Sequence, residues 1–237
     1  MSHFQDVLDD PQNHILASLP RSDYERLRPH LHLIDMHSGD SLHEIGALLE
    51  HVYFPNSGMI SLVLTSNEGT NVEVGIVGRE GMAGTASVLG GAPAISQSIV
   101  QIEGTAMQLP TSVLLEEFEH SKSLRRLLLG SLQALVTQTA QTALCNRLHS
   151  VEERLSRWLL VVSDRVGSDE FDLTQEFIAH MLGTRRSGVT VACGQLRSAD
   201  LIEYSRGRIQ IMDRQGLIDT SCECYAVIQK QFEYLLS

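Results

Sequence analysis

The stretch LTQEFIAHMLGTRRSGVTVACGQLRSADLIEYSRGRIQIMD, residues 173–213, decides how this chain is read. Counted from Gln175, the fifth residue is Ala179, the ninth Gly183 and the fifteenth Val189. A helix-turn-helix needs this arrangement. A small residue sits where the two helices cross, a glycine supplies the left-handed backbone of the turn, and Ile178, Leu182 and Val189 fill the shared core. Thr184 is the natural cap of the second helix. Arg185, Arg186, Ser187 and Thr190 then lie outward on its first two turns, where side chains reach base edges in a major groove. The segment that follows, ADLIEYSRGRIQIMD, reads as two β-prone runs joined at Ser205, Arg206 and Gly207, a hairpin whose tip offers Arg206 and Arg208 to phosphates. From Thr174 to Met212 the basic residues outnumber the acids by two, so the face is expected to be positive.

That local excess stands against an acidic whole. The chain of 237 residues holds 18 Lys and Arg against 29 Asp and Glu, a formal charge of −11, which excludes nucleic-acid binding by bulk charge alone. Residues 1–120 carry four basic and sixteen acidic side chains, whereas residues 121–150 carry basic ones only (Lys122, Arg125, Arg126 and Arg147). The two ends are therefore built for different tasks.

Upstream, the texture changes. Ser123 to His149 contains no proline and one glycine, and reads as one long helix. Leu128, Leu132, Leu135 and Thr139 fall on one stripe at coiled-coil spacing, the expected seam with a second copy across a two-fold axis. A second amphipathic helix, Val151–Val166, sets Leu155, Trp158, Leu159 and Val162 on one side. From Leu31 to Pro110 the chain is short β-prone runs, HVYFP, MISLVLT, VEVGIV, SIVQIE and TAMQLP, cut by turn residues: an antiparallel sandwich or barrel, with a brief helix before it from Asp23 to Leu31. The fold class expected is α+β: an antiparallel sandwich or barrel at 1–120, a long dimerisation helix at 121–149 and a winged helix-turn-helix domain at 150–237. The first 20 residues carry acids where a secretory signal would be basic and then apolar, and no window approaches a membrane span, so a cytoplasmic protein is expected.

This order of parts resembles the Crp/Fnr family of bacterial transcription regulators. The matching segments are VYFPNSGMISLV, GREGMAG at 78–84, and RLSRWLL followed by FDLTQEFIAHMLGTRRSGVT. The resemblance implies a homodimer on a pseudo-palindromic operator, contact with RNA polymerase, base contacts from Arg185, Arg186 and Ser187, and backbone contacts from Thr174 and Gln175. It also implies that residues 1–120 form a jelly-roll-like β-roll sensor domain with an effector pocket. The corresponding segment offers Gly84, Thr85, Ser96 and Ser98, and the long helix would add Thr139 and Thr142. The cyclic-AMP branch pairs the cyclic phosphate with an arginine, whereas no Arg or Lys lies between Thr85 and Ile102. Cyclic AMP binding in the usual mode is therefore not expected, because burying a phosphate without a cation is costly. The effector stays unidentified.

The iron-sulfur branch needs four cysteines, mostly near the N-terminus; here none precedes Cys145. Cys222 and Cys224 form a CxC expected to be an incidental pair, the thiols are expected to be reduced, and the residues assign no cofactor and no metal ligand. One rival uses the histidines. His30 and His32 with Asp35 or Glu44 suggest a cupin-like metal-binding or small-molecule-binding barrel, even an enzyme, with a merely structural helical domain. Against it, residues 52–119 contain no further histidine and no nucleophile accompanies the set. His30, His32, His37, His43 and His51 are expected to be mostly solvated, and the chain to have no catalytic residues.

Overall fold

The structure, a computed structural model, describes residue 8 and residues 10–236 apart from 70 and 92. Ten strands and nine α-helices follow one another among the described residues, and they form an α+β fold with an antiparallel β-roll, as expected. Two short helices, α1 (His14–Ala17) and α2 (Arg21–Leu27), precede the strands, and a 3-10 turn at Arg28–His30 ends the stretch expected to be one helix. Strands β1 (His32–Met36), β2 (Ser41–His43), β3 (His51–Pro55), β4 (Met59–Thr65), β5 (Asn71–Val77), β6 (Gln97–Ile102) and β7 (Gly104–Pro110) then make two sheets, ordered β1-β7-β3 and β2-β6-β4-β5. β7 pairs antiparallel with both β1 and β3, setting Met107 opposite Leu33 on one side and Phe54 on the other.

The chain divides into two compact units, residues 1–62, 76–135 and 232–237 in one, 63–75 and 136–231 in the other. In the first, Val52, Phe54, Met107 and Leu109 of the sheet share a core with Leu27, with Leu114 of α3 (Thr111–His120), and with Leu124, Leu127 and Leu128 of α4 (Lys122–Leu148). Leu128 is only 2% exposed, so it is spent on the core of its own unit and is not open as a seam residue. Leu132 and Leu135 are half-buried and Thr139 is exposed, its hydroxyl donating to the Val74 carbonyl at 2.9 Å. The apolar residues that α4 leaves outward are Leu129 (46% exposed), Val136 (61%), Leu144 and Leu148. The heptad step from Leu129 to Val136 is one residue out of phase with the stripe read from the sequence.

α4 runs over 27 residues and stops where a new helix begins. Ser150 accepts the Glu153 amide, and Glu153 accepts the Ser150 amide at 2.7 Å, a reciprocal cap that starts α5 (Val151–Val166). The second unit continues with β8 (Glu170–Asp172), α6 (Gln175–Met181), α7 (Arg186–Ser198), β9 (Ile202–Ser205), β10 (Arg208–Ile211), α8 (Arg214–Thr220) and α9 (Cys224–Leu236) as far as residue 231. Leu155, Trp158, Leu159 and Val162 of α5 are buried, and the Trp158 indole donates to the buried Glu73 carboxylate at 2.8 Å. Among the described residues no helix is long and apolar enough to cross a membrane.

Candidate nucleic-acid interface

The helix-turn-helix is built as its spacing requires. Thr174 caps α6 by accepting the Phe177 amide, Ala179 is buried at the crossing, and Gly183 takes φ +56° in the turn. Ile178, Leu182 and Val189 are buried. The cap of α7 differs from expectation: the N-cap residue is Arg185, not Thr184, and no side chain caps it. The backbone becomes helical only at Arg186, one residue later than the hydroxyl of Thr184 would suit. The first amides of α7 are thereby left without a side-chain acceptor, a suitable end for an anionic oxygen.

Arg185, Arg186, Ser187 and Thr190 are all exposed at this end. The Thr190 hydroxyl lies 2.7 Å from Gln175 Oε1 and 3.1 Å from the Arg186 carbonyl, so it ties α7 to the start of α6. Arg186 Nε stands 3.8 Å from Glu176 Oε2, a loose exposed pair. The tip of the wing is a two-residue turn. Arg206 (φ +52°) and Gly207 (φ +86°) both occupy the left-handed region, which twists the hairpin in the sense its strands prefer, and Ser205 pairs with Arg208 across it. The Gly207 carbonyl accepts the Leu173 amide at 2.6 Å, bringing the wing tip back to the start of α6 beside Thr174.

A third strand, β8, was not legible in the sequence, and it changes the electrostatics. β8 pairs with β10, setting Asp172 opposite Arg208 and Phe171 opposite Ile209. Glu170 forms an ion pair with Arg208, and a cleft of about 370 Å³ on the wing is lined by Glu170, Asp172 and Glu203 as well as Arg206 and Arg208. The positive face expected from residues 174–212 is offset at the wing: Arg208 is held by an acid, and Glu170 and Asp172 of β8, outside that stretch, adjoin it.

Of the effector-pocket residues, Gly84, Thr85, Ser96 and Ser98 belong to the first unit, Thr139 and Thr142 to the second. Gly84 precedes a 3-10 turn at Thr85–Leu89, Thr85 and Ser96 are half-buried, and Ser98 is buried. The Ser98 hydroxyl is 3.1 Å from His43 Nδ1, while His43 Nε2 donates to the His51 carbonyl at 2.8 Å. Burial holds the His43 imidazole below its ordinary pKa. His43 is thus a core residue rather than a solvated one. His30, His32 and His37 are exposed, as are Asp35 and Glu44, and Gln97 donates to the Glu44 carboxylate.

The largest departure concerns sulfur. The CxC does not stand apart: Cys145 and His149 from the end of α4 and just beyond it meet Cys222 and Cys224, with Cys145 Sγ 3.2 Å from Cys222 Sγ and 3.4 Å from His149 Nδ1. The hydrogen bond from the Cys222 thiol lowers the pKa of Cys145, and the same bond raises that of Cys222. The signal available beforehand was weak: a Cys and a His four apart in sequence, the Cys 77 residues from a CxC.

Fold and site together define a regulator with a β-roll and a DNA-reading helix. The family model of the cyclic nucleotide-binding domain matches residues 34–121, and that of the Crp-like helix-turn-helix domain matches residues 153–220. The chain belongs to the Crp/Fnr family of transcription regulators. Among solved structures it is similar to FixK2 from Bradyrhizobium japonicum (14% identity, TM-score 0.67, covering 81% of this chain and 98% of that one). It is similar too to the Crp/Fnr-family transcriptional regulator TTHA1359 from Thermus thermophilus (18%, 0.63, 80% and 98%). A third is the c-di-GMP responsive global regulator CLP from Xanthomonas campestris (15%, 0.66, 82% and 100%). Among curated proteins none matches the chain.

Proposed function

We propose that the protein acts as a homodimer that reads a pseudo-palindromic duplex, with α7 of each copy in a major groove and the two helices about one DNA turn, roughly 34 Å, apart. In this reading residues 1–120 form the sensor domain, 121–149 the dimerisation helix and 150–237 the DNA-binding domain. The observation that carries it is the N-terminal end of α7, where Arg185, Arg186 and Ser187 stand exposed beside uncapped amides while Thr190 and Gln175 lock the two motif helices together. Arg185, Arg186 and Ser187 meet base edges; Thr174, Gln175 and Arg206 position the phosphates, and Arg208 joins them on leaving Glu170. The dimer seam runs along Leu129, Val136 and their neighbours on the outward side of α4.

The protein works as a regulator and not as an enzyme, in the cytoplasm, with RNA polymerase as its partner at the promoter. Its effector is not cyclic AMP in the usual mode. Ser98 is engaged by His43 and Thr139 by Val74, and the segment from Thr85 to Ile102 supplies no cation, so a buried phosphate would stand unpaired.

Selection from random duplexes tests the reading. The expected result is enrichment of a two-fold symmetric motif by a dimer, with affinity falling steeply as salt rises. A monomer on DNA, or enrichment of no symmetric motif, overturns it.

A further inference from the structure

Four side chains that DNA recognition leaves unused converge in the second unit. Cys145 lies in the last turn of α4 and His149 directly follows that helix, its amide still donating to the Cys145 carbonyl; Cys222 lies in the turn before α9, and Cys224 is the first residue of α9. One ligand atom from each lies within 4.8 Å of all the others. The nearest separations are 3.2 Å between Cys145 Sγ and Cys222 Sγ, 3.4 Å between Cys145 Sγ and His149 Nδ1, and 3.8 Å between His149 Nδ1 and Cys224 Sγ. A tetrahedral zinc ion with ligands at its usual distances sets sulfur atoms about 3.8 Å apart and sulfur from nitrogen about 3.6 Å apart. The two sulfur–nitrogen separations match such a tetrahedron to about 0.2 Å, the Cys145–Cys222 separation is about 0.6 Å short of it, and no separation in the cluster exceeds 4.8 Å, so shifts of about an ångström or less would close the four ligands on an ion.

Three further features fit a closed metal site. All three cysteines are buried, and with the imidazole they supply the four ligands that fill a tetrahedral shell. The His149 ring is oriented from outside: its Nε2 lies 3.3 Å from the Glu223 carboxylate while Nδ1 faces the sulfurs, the arrangement in which a carboxylate holds a ligating imidazole in the right tautomer. The guanidiniums of Arg154 and Arg157 are buried close enough to act electrostatically on Cys145. Three thiolates and one neutral imidazole around a divalent ion carry a net charge of −1, which one of these arginines would balance. Three sulfurs with one nitrogen in a tetrahedron favour zinc over the harder divalent ions, which prefer oxygen.

We propose that Cys145, His149, Cys222 and Cys224 bind one zinc ion in a closed Cys3His site that fastens the end of α4 to the start of α9. Each thiol gives up its proton as its sulfur ligates, and the imidazole binds neutral through Nδ1. The site is structural: it clips the helix that leads into the DNA-binding domain to the helix that follows the wing, spanning a loop of chain that contains α5, α6, α7 and α8.

The test is metal analysis and cobalt titration of the full-length chain, prepared reduced and without oxygen. Wild type is expected to hold about one zinc per chain and, after exchange, to give cobalt the intense visible bands of a tetrahedral site with thiolate-to-metal charge transfer. Cys222→Ser should lower the retained zinc to less than about one tenth per chain and weaken the charge-transfer band, whereas Cys193→Ser, at a buried thiol of α7 far along the chain from the cluster, should change neither. His149→Cys keeps four ligands, so it should still bind tetrahedral cobalt, with a stronger charge-transfer band; this arm stands even where the serine variant does not fold. The proposal is overturned by wild type that takes up no stoichiometric zinc or cobalt, by an octahedral cobalt spectrum, or by Cys222→Ser binding cobalt as wild type does. Recovery of a Cys145–Cys222 disulfide in metal-free chain from the reduced preparation overturns it equally.

Discussion

Glu170→Gln should make the protein bind DNA more tightly. Arg208 begins the second strand of the wing, and its guanidinium is paired with Glu170 of the neighbouring strand β8; the two side chains are 64% and 41% exposed. A phosphate that recruits Arg208 must compete with that carboxylate. An exposed pair of this kind is worth about 0.2–1 kcal/mol, so releasing it should raise affinity about 1.4- to 5-fold for each wing engaged. The neutral amide also removes a negative charge that repels the backbone, an effect screened beyond about 10 Å at 0.1 M salt. A freed guanidinium displaces one more condensed counterion, so the slope of log affinity against log salt should steepen by about 0.9 per wing. Fluorescence anisotropy on the selected duplex, from low to moderate salt, reads both quantities. In an Arg208→Ala background the same substitution should keep only the small repulsion term and leave the slope alone. Weaker binding by Glu170→Gln, with the slope unchanged, would refute the reasoning and mean that Glu170 orients Arg208 on the DNA instead of competing for it.

Other positions separate roles. Arg186→Ala should cost about 1–3 kcal/mol and relax preference at one base of each half-site, whereas Arg206→Ala should weaken all duplexes alike and flatten the salt slope; equal, sequence-independent losses in binding assays would count against the placement of α7. Glu73→Ala leaves the buried Trp158 N–H without its acceptor and should lower unfolding stability by about 1–3 kcal/mol in urea melts, with Glu73→Gln, which keeps an acceptor oxygen, recovering much of it. His43, held neutral by burial, has a folded pKa below its unfolded value near 6.5, so its contribution is complete above that pH and is lost as pH falls toward the folded pKa. The loss should not exceed about 1.4 kcal/mol per pH unit for this one group, and it should vanish from the pH profile of His43→Gln.

The sequence by itself determined the parts whose signals are local. Ala179, Gly183 and Val189 mark the motif because helix crossing and a left-handed turn constrain single positions, and the structure buries or bends each as its spacing requires. The strand runs are legible because turn residues punctuate them, and α4 because its helical period is unbroken from Lys122 to Leu148. The cap of α7 at Arg185 and the burial of Leu128 were not, since backbone entry angle and the choice between two neighbouring leucines depend on what packs against the helix. Tertiary structure alone decided three meetings between distant segments. Trp158 reads as one more apolar residue on α5 until the chain returns Glu73 to its indole. Arg208 reads as a free cation until β8 pairs with β10 and sets Glu170 against it. Cys145 and His149 carry no recognisable motif with a CxC far along the chain, because ligand geometry is a property of positions in space, and a one-dimensional pattern records spacing only within a single element.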